Sequence, residues 1–175
     1  MMECNVCGGS IISNKWALSA AHCVPTAPRG RILVGAHDLN DRDTYYTYGL
    51  GDMIKHPRWN FPGRFQNDIA LVNAANGEKM AIDFEQSSPV CLPHPDNCFE
   101  PDETTCVVSG WGLTSERGSL ADVLQVVGVK LMSREQCTSF TGYERIADTM
   151  ICAGFTQGSH DAFSGDSGGP LVCRM

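Results

Sequence analysis

Ser167 stands in Gly165-Asp166-Ser167-Gly168-Gly169-Pro170, a run of small residues around one hydroxyl. A serine hydroxyl is a weak nucleophile. It needs a base within hydrogen-bond reach, and the base needs a third group to orient it. Gly-Asp-Ser-Gly-Gly also fits G-x-S-x-G, the elbow of α/β-hydrolases, but that arrangement takes its acid and its histidine from downstream of the serine. No His, Asp or Glu follows Ser167, so both partners must come from upstream. Five histidines are available. His22 lies in Ala-Leu-Ser-Ala-Ala-His-Cys, directly after an expected strand. His37, His56 and His94 lie in polar or proline-flanked surroundings that suit surface turns, and His160 sits in a polar stretch close to Ser167 along the chain. Asp68, in Asn-Asp-Ile-Ala-Leu-Val, sets a charge just before an apolar strand, where it needs hydrogen-bond partners to be tolerated. Taken singly, each histidine reads better as structural, and Asp68 as an ordinary strand start.

Three such groups need a rigid frame, and the chain reads as strands and turns. Short apolar runs recur at 10–12, 16–19, 32–34, 53–54, 69–72, 106–108, 124–131, 150–153 and 170–173, with Gly, Pro, Asn and Asp between them. This suits antiparallel β-barrels or sandwiches. One helix is expected, opened by the capping box Ser133-Arg134-Glu135-Gln136 and running to about Phe140. Residues 87–105 carry four prolines and little apolar periodicity. They divide the chain into a unit at 1–90, a linker at 91–105 and a unit at 106–175. With 175 residues and a 42% apolar fraction the chain can bury a real core. Its net charge of −7 and lack of a basic run argue against nucleic-acid binding, and no apolar run is long enough to span a membrane. Nine cysteines point to an oxidising compartment, and their odd number leaves at least one without a partner in the chain. Cys4 and Cys7 form a single C-x-x-C with no second pair to complete a zinc site.

Leu-Ser-Ala-Ala-His-Cys, Asn-Asp-Ile-Ala-Leu-Val and Gly-Asp-Ser-Gly-Gly-Pro-Leu-Val-Cys, in that order, resemble the three signature segments of the chymotrypsin/trypsin family of serine endopeptidases. Cys-Gly-Gly-Ser-Ile-Ile, His-Pro-Arg-Trp-Asn, Ser-Gly-Trp-Gly and Met-Ile-Cys-Ala-Gly add to the resemblance, which runs from Cys7 to Cys173. It implies an all-β fold of two antiparallel six-stranded barrels, both incomplete here, with His22 and Asp68 on the first and Ser167 on the second. It implies that His22 is general base and then acid, that Asp68 orients it, and that Ser167 forms the acyl-enzyme. The N–H groups of Gly165 and Ser167 would form the oxyanion hole. Asp161 falls at the base of the primary specificity pocket, which implies cleavage after Arg or Lys. Phe163 stands where relatives carry a cysteine and could narrow that pocket. The implied disulfides are Cys7–Cys23, Cys137–Cys152 and Cys106–Cys173, leaving Cys4, Cys91 and Cys98. No cofactor is implied, and Ala36 stands where a calcium ligand is expected in some trypsins, so no metal is expected. The implied protein is a secreted monomer acting on protein or peptide substrates and open to protein protease inhibitors. A non-catalytic homologue that binds such partners is the alternative, as is a fragment that does not fold.

The resemblance also implies a chain shorter than the family at both ends. It enters after the Ile-Val-Gly-Gly type terminus whose amine pairs with the aspartate before the serine, here Asp166, and stops before the last strands and the terminal helix. No signal peptide is legible in Met-Met-Glu-Cys-Asn-Val-Cys. The expectation for residues 1–175 alone is therefore weak folding, negligible turnover, and an Asp166 carboxylate turned to water or to some other donor.

Overall fold

A computed structural model of the chain describes residues 7–25, 29–94, 100–101, 103–115, 118–141, 146–154 and 164–174. Five strands, β1 (Ser10–Ile11), β2 (Ala17–Ser19), β3 (Arg31–Val34), β4 (Tyr46–Lys55) and β5 (Ala70–Ala74), form an antiparallel sheet in the order β1-β2-β5-β4-β3. Four more, β6 (Thr105–Gly110), β7 (Gln125–Met132), β8 (Cys152–Gly154) and β9 (Leu171–Cys173), form a second antiparallel sheet in the order β8-β7-β6-β9. The fold is all-β in two antiparallel sheets, with one α-helix among the described residues, α1 (Arg134–Thr141).

The longest strand of the first sheet is longer than its sequence suggests. Only Met53 and Ile54 form an apolar run there, yet β4 extends from Tyr46 to Lys55. Gly49 and Gly51 break the alternation, and the register against β5 shifts between Leu50 and Met53. Such an irregularity bends a strand without ending it. Where α1 begins, the capping box is formed: the Ser133 N–H donates to Gln136 Oε1 at 2.8 Å, and the Gln136 N–H donates to Ser133 Oγ at 3.2 Å.

The cores are small and built from short side chains. Ala17, Val34, Ala74 and Met80 are buried in the first sheet, with Ile11, Ile32 and Tyr48 packed on them. Ala21, Val24 and Ala70 make a second cluster under the end of β2, against Met53 and Trp59. In the second sheet Cys106, Val129 and Leu131 are buried, and Cys106 is bonded to Cys173 directly across the β6–β9 pair. Backbone hydrogen bonds tie the two halves of the chain together, at Gly8 with Ser167 and along 37–39. His37–Leu39 runs antiparallel to 122–124, with Leu39 N–H on Asp122 O at 2.9 Å and Leu124 N–H on His37 O at 2.8 Å.

Candidate active site

The pairing of β2 with β5 decides what meets His22. Ser19 lies opposite Ala70, at the end of β2 and the start of β5. Because the strands are antiparallel, the residues that leave β2 and those that enter β5 share one end of the sheet. His22 follows β2 in a short 3-10 turn, Ala21–Cys23, whose Ala21 is fully buried and whose Cys23 is bonded to Cys7. Burial of Ala21 and the tether on Cys23 leave the His22 ring turned outward, 36% exposed.

Asp68 receives both donors of that residue. Its Oδ1 accepts the His22 backbone N–H at 2.9 Å, and its Oδ2 accepts Nδ1–H at 2.6 Å. The carboxylate is 23% exposed. A carboxylate on Nδ1 holds the ring in the tautomer whose Nε2 carries a free lone pair. Phe65 stands edge-on to the His22 ring, with centroids 6.1 Å apart.

Ser167 is brought to the same ledge by its backbone. Its carbonyl accepts the Gly8 N–H at 2.8 Å, and Ser19 Oγ donates to Gly8 O at 2.9 Å, so the serine turn is laced to the end of β2. Cys23 Sγ lies 3.5 Å from the Ser167 carbonyl oxygen and 3.6 Å from His22 Nε2. Among the described residues no hydrogen bond joins Ser167 Oγ to His22, and the N–H groups of Gly165 and Ser167 have no partner. Gly165 has φ +105°, and a Cβ there would lie 2.9 Å from Gly112 Cα. Only glycine fits both the conformation and the space.

Asp166 points into the second sheet. Its Oδ1 accepts the Gly112 N–H at 2.8 Å, and its carboxylate fills space that a Cβ on Gly110 or Gly112 would occupy. Neither glycine stood out in the sequence as part of the site, although Ser109-Gly110-Trp111-Gly112 is one of the segments that carry the resemblance. Asn67 was also missed. Its φ is 56°, and its side-chain amide donates to two carbonyls, Arg58 O and Phe61 O, at 3.0 Å each. The available signal was an Asn before the acid, since Asn tolerates the left-handed region.

Of the other described histidines, neither His37 nor His56 has a hydrogen bond to Asp68 or Ser167. His56 Nδ1 accepts the Arg58 N–H within a turn, and the His37 carbonyl accepts Trp111 Nε1–H. Asp161, Phe163, His160, Cys4 and Cys98 lie outside the described residues. Among the described residues three disulfides are present, Cys7–Cys23, Cys106–Cys173 and Cys137–Cys152, and Cys91 is an exposed free thiol. Cys7, Cys23 and His22 bring ligand atoms within 4.8 Å of one another, but the two sulfurs are bonded to each other and offer no thiolate to a metal. Beside the ledge lies a cleft of about 730 Å³, lined by Asp68 and Ile69 from the first sheet's half, by Ile151 and Val172 from the second's, and by Leu92. Among the described residues no helix is long and apolar enough to cross a membrane.

Comparison with known proteins gives the family and the fold. The trypsin family model matches residues 2–175. Trypsin I-P1 and trypsin I-P38 of Gallus gallus are each 38% identical over 171 residues, covering 96% of this chain and 64% of their own length. Among solved structures, neuropsin, a serine protease expressed in the limbic system of mouse brain, superposes with a TM-score of 0.82 at 31% identity, covering 96% of this chain and 72% of its own. The chain belongs to the trypsin family, with the double β-barrel fold of that family, and spans about two thirds of the length of the curated relatives it matches.

Proposed function

We propose that this chain carries the catalytic residues of a secreted serine endopeptidase that cleaves after Arg or Lys. The observation that supports it most is the Asp68 carboxylate taking both the backbone and the Nδ1 hydrogens of His22, at 2.9 and 2.6 Å, on the ledge where the Ser167 turn is laced down. In this reading His22 Nε2 takes the Ser167 hydroxyl proton as Oγ bonds to the scissile carbonyl carbon. The carbonyl electron pair moves to oxygen, facing the N–H groups of Gly165 and Ser167. His22 then returns the proton to the leaving amine, and water hydrolyses the acyl-serine by the same steps. Asp68 stays ionised and stabilises the imidazolium. Asp161 would receive the basic side chain of the substrate. The two units at 1–90 and 106–175 would each supply one side of the cleft, joined by 91–105. Protein substrates and protein protease inhibitors are the partners of this reading, with a monomer as the working form. The three disulfides among the described residues favour an oxidising compartment.

One observation favours a second reading, a homologue that binds partners without cleaving them: Ser167 Oγ has no hydrogen bond to His22 among the described residues. Catalytic hydrogen bonds are often loose before substrate binds, which keeps the enzymatic reading ahead. The test uses a protein carrying this chain at the length of its relatives. It should label stoichiometrically with a fluorophosphonate and cleave a peptide library after Arg or Lys. Ser167→Ala should lose both while keeping its thermal transition. Labelling that persists in Ser167→Ala would remove this nucleophile, and cleavage after Tyr, Phe or Leu would remove the role given to Asp161.

A further inference from the structure

The Asp68 carboxylate is aimed from a tight turn, and the residue that makes the turn is Asn67. The Ile69 N–H donates to the Asn67 carbonyl at 2.9 Å, closing a three-residue turn with Asp68 at its tip. Asn67 has φ 56°, in the left-handed region that L-residues avoid and that Asn tolerates best after Gly. Its side chain then braces the loop before it: Nδ2 donates to Arg58 O and to Phe61 O, both at 3.0 Å. In the same loop Asn60 Oδ1 accepts the Phe65 N–H at 2.9 Å, and Phe65 stands against the His22 ring. The Asn67 N–H crosses to the second sheet's side of the cleft and donates to Thr149 Oγ1 at 3.3 Å. Every polar group of Asn67 except Oδ1 is thus spent on fixing the approach to Asp68.

We propose that Asn67 is a positioning residue for the acid: its left-handed backbone sets the direction of the Asp68 carboxylate toward His22. The proposal rests on the reading of His22 and Asp68 as partners in catalysis, but the geometry it explains exists without turnover. A residue with a Cβ and no amide should relax toward negative φ, and the carboxylate should swing with it. A displacement of about 1 Å at a catalytic group costs about 100-fold in rate.

The experiment reads the hydrogen bond directly. A proton shared between His22 Nδ1 and a carboxylate resonates far downfield in one-dimensional proton NMR, and a protein carrying this chain at the length of its relatives should show it. Asn67→Ala should lose that resonance. Asn67→Gly, which adopts positive φ without strain, should keep it. Thermal unfolding of each variant ensures that spectra are taken on folded protein. Loss of the resonance in Asn67→Ala with retention in Asn67→Gly supports the proposal. Retention in Asn67→Ala overturns it, as does equal loss in both variants, which would place the effect outside the backbone turn. Absence of the resonance in the parent overturns it too, because the arrangement Asn67 is assigned to hold would not exist in solution. Fluorophosphonate labelling of the parent at the length of its relatives is scored separately. A parent with the resonance but no labelling would fail the proposed activity and leave the role of Asn67 standing. In an active protein, Asn67→Ala should lower kcat about 100-fold with little change in KM, and Asn67→Gly should recover most of it.

Discussion

Asp68→Asn tests the central pair with almost no change in shape. Two donors of His22, the backbone N–H at 2.9 Å and Nδ1–H at 2.6 Å, converge on two carboxylate oxygens. An amide offers one oxygen and one NH2 group, so it cannot satisfy both. If its oxygen keeps the backbone N–H, the NH2 faces Nδ1 and drives the proton to Nε2, where the ring can no longer take the Ser167 proton. If it turns over, the NH2 opposes the backbone N–H and leaves that donor unmet, at about 1–3 kcal/mol. The variant also loses the charge that stabilises imidazolium. At an effective dielectric of about 20, such a pair is worth roughly 4 kcal/mol at 4 Å. Since His22 is 36% and Asp68 23% exposed, water screens part of it, and about 2–3 kcal/mol is the more reasonable share. The lost charge alone is worth roughly 30–150-fold in rate, and the wrong tautomer adds to it. In Ser-His-Asp proteases of this template the same exchange costs about 10⁴ in kcat. The assay is the second-order rate of fluorophosphonate labelling at neutral pH, with a basic ester substrate as a check on turnover. Folding is followed by thermal unfolding, which should shift little where the amide oxygen keeps the backbone N–H and should fall where that donor is left unmet. A variant that labels within tenfold of the parent would refute the reasoning, since neither the tautomer nor the charge would then matter.

Two further outcomes follow from local structure. Gly165→Ala forces a Cβ into φ +105° and to 2.9 Å from Gly112 Cα, and should cost about 1–3 kcal/mol of stability by denaturant titration. Because one oxyanion donor moves with it, kcat should fall roughly 10²–10³-fold in an active protein. Glu135, in the first turn of α1, has its pKa lowered by its own backbone hydrogen bond first and by the Ser133 hydroxyl second. A lowered folded-state value means that its contribution is present above the ordinary carboxylate range and is lost as pH falls through the lowered value. Ser133→Ala should therefore move the Glu135 titration, followed by NMR, back up toward the ordinary value, and should cost about 1 kcal/mol through the lost cap.

Ser167 without any acid or histidine after it already demands partners from upstream, because a nucleophile needs a base and the order of residues is fixed by the chain. The Ser133–Gln136 box was equally legible, since capping is a contact between near neighbours and needs no tertiary partner. Alternation and turn residues were enough for an all-β chain, though Gly49 and Gly51 hid most of β4. The choice of His22 among five histidines is a different matter. Its place directly after an expected strand is too weak a local signal to set it above His56 or His37. The resemblance to a family singled it out, and the pairing of Ser19 with Ala70 shows why: two residues 46 apart become neighbours only when β2 and β5 align in this register. The same holds for Asp166, whose carboxylate is housed by Gly110 and Gly112 from another strand and its turn, and for Asn67, whose left-handed backbone has meaning only once His22 stands opposite Asp68. Composition and near-neighbour spacing act along the chain. Register, close approach and the direction of a carboxylate are set by contacts between distant segments, and those exist only in the folded molecule.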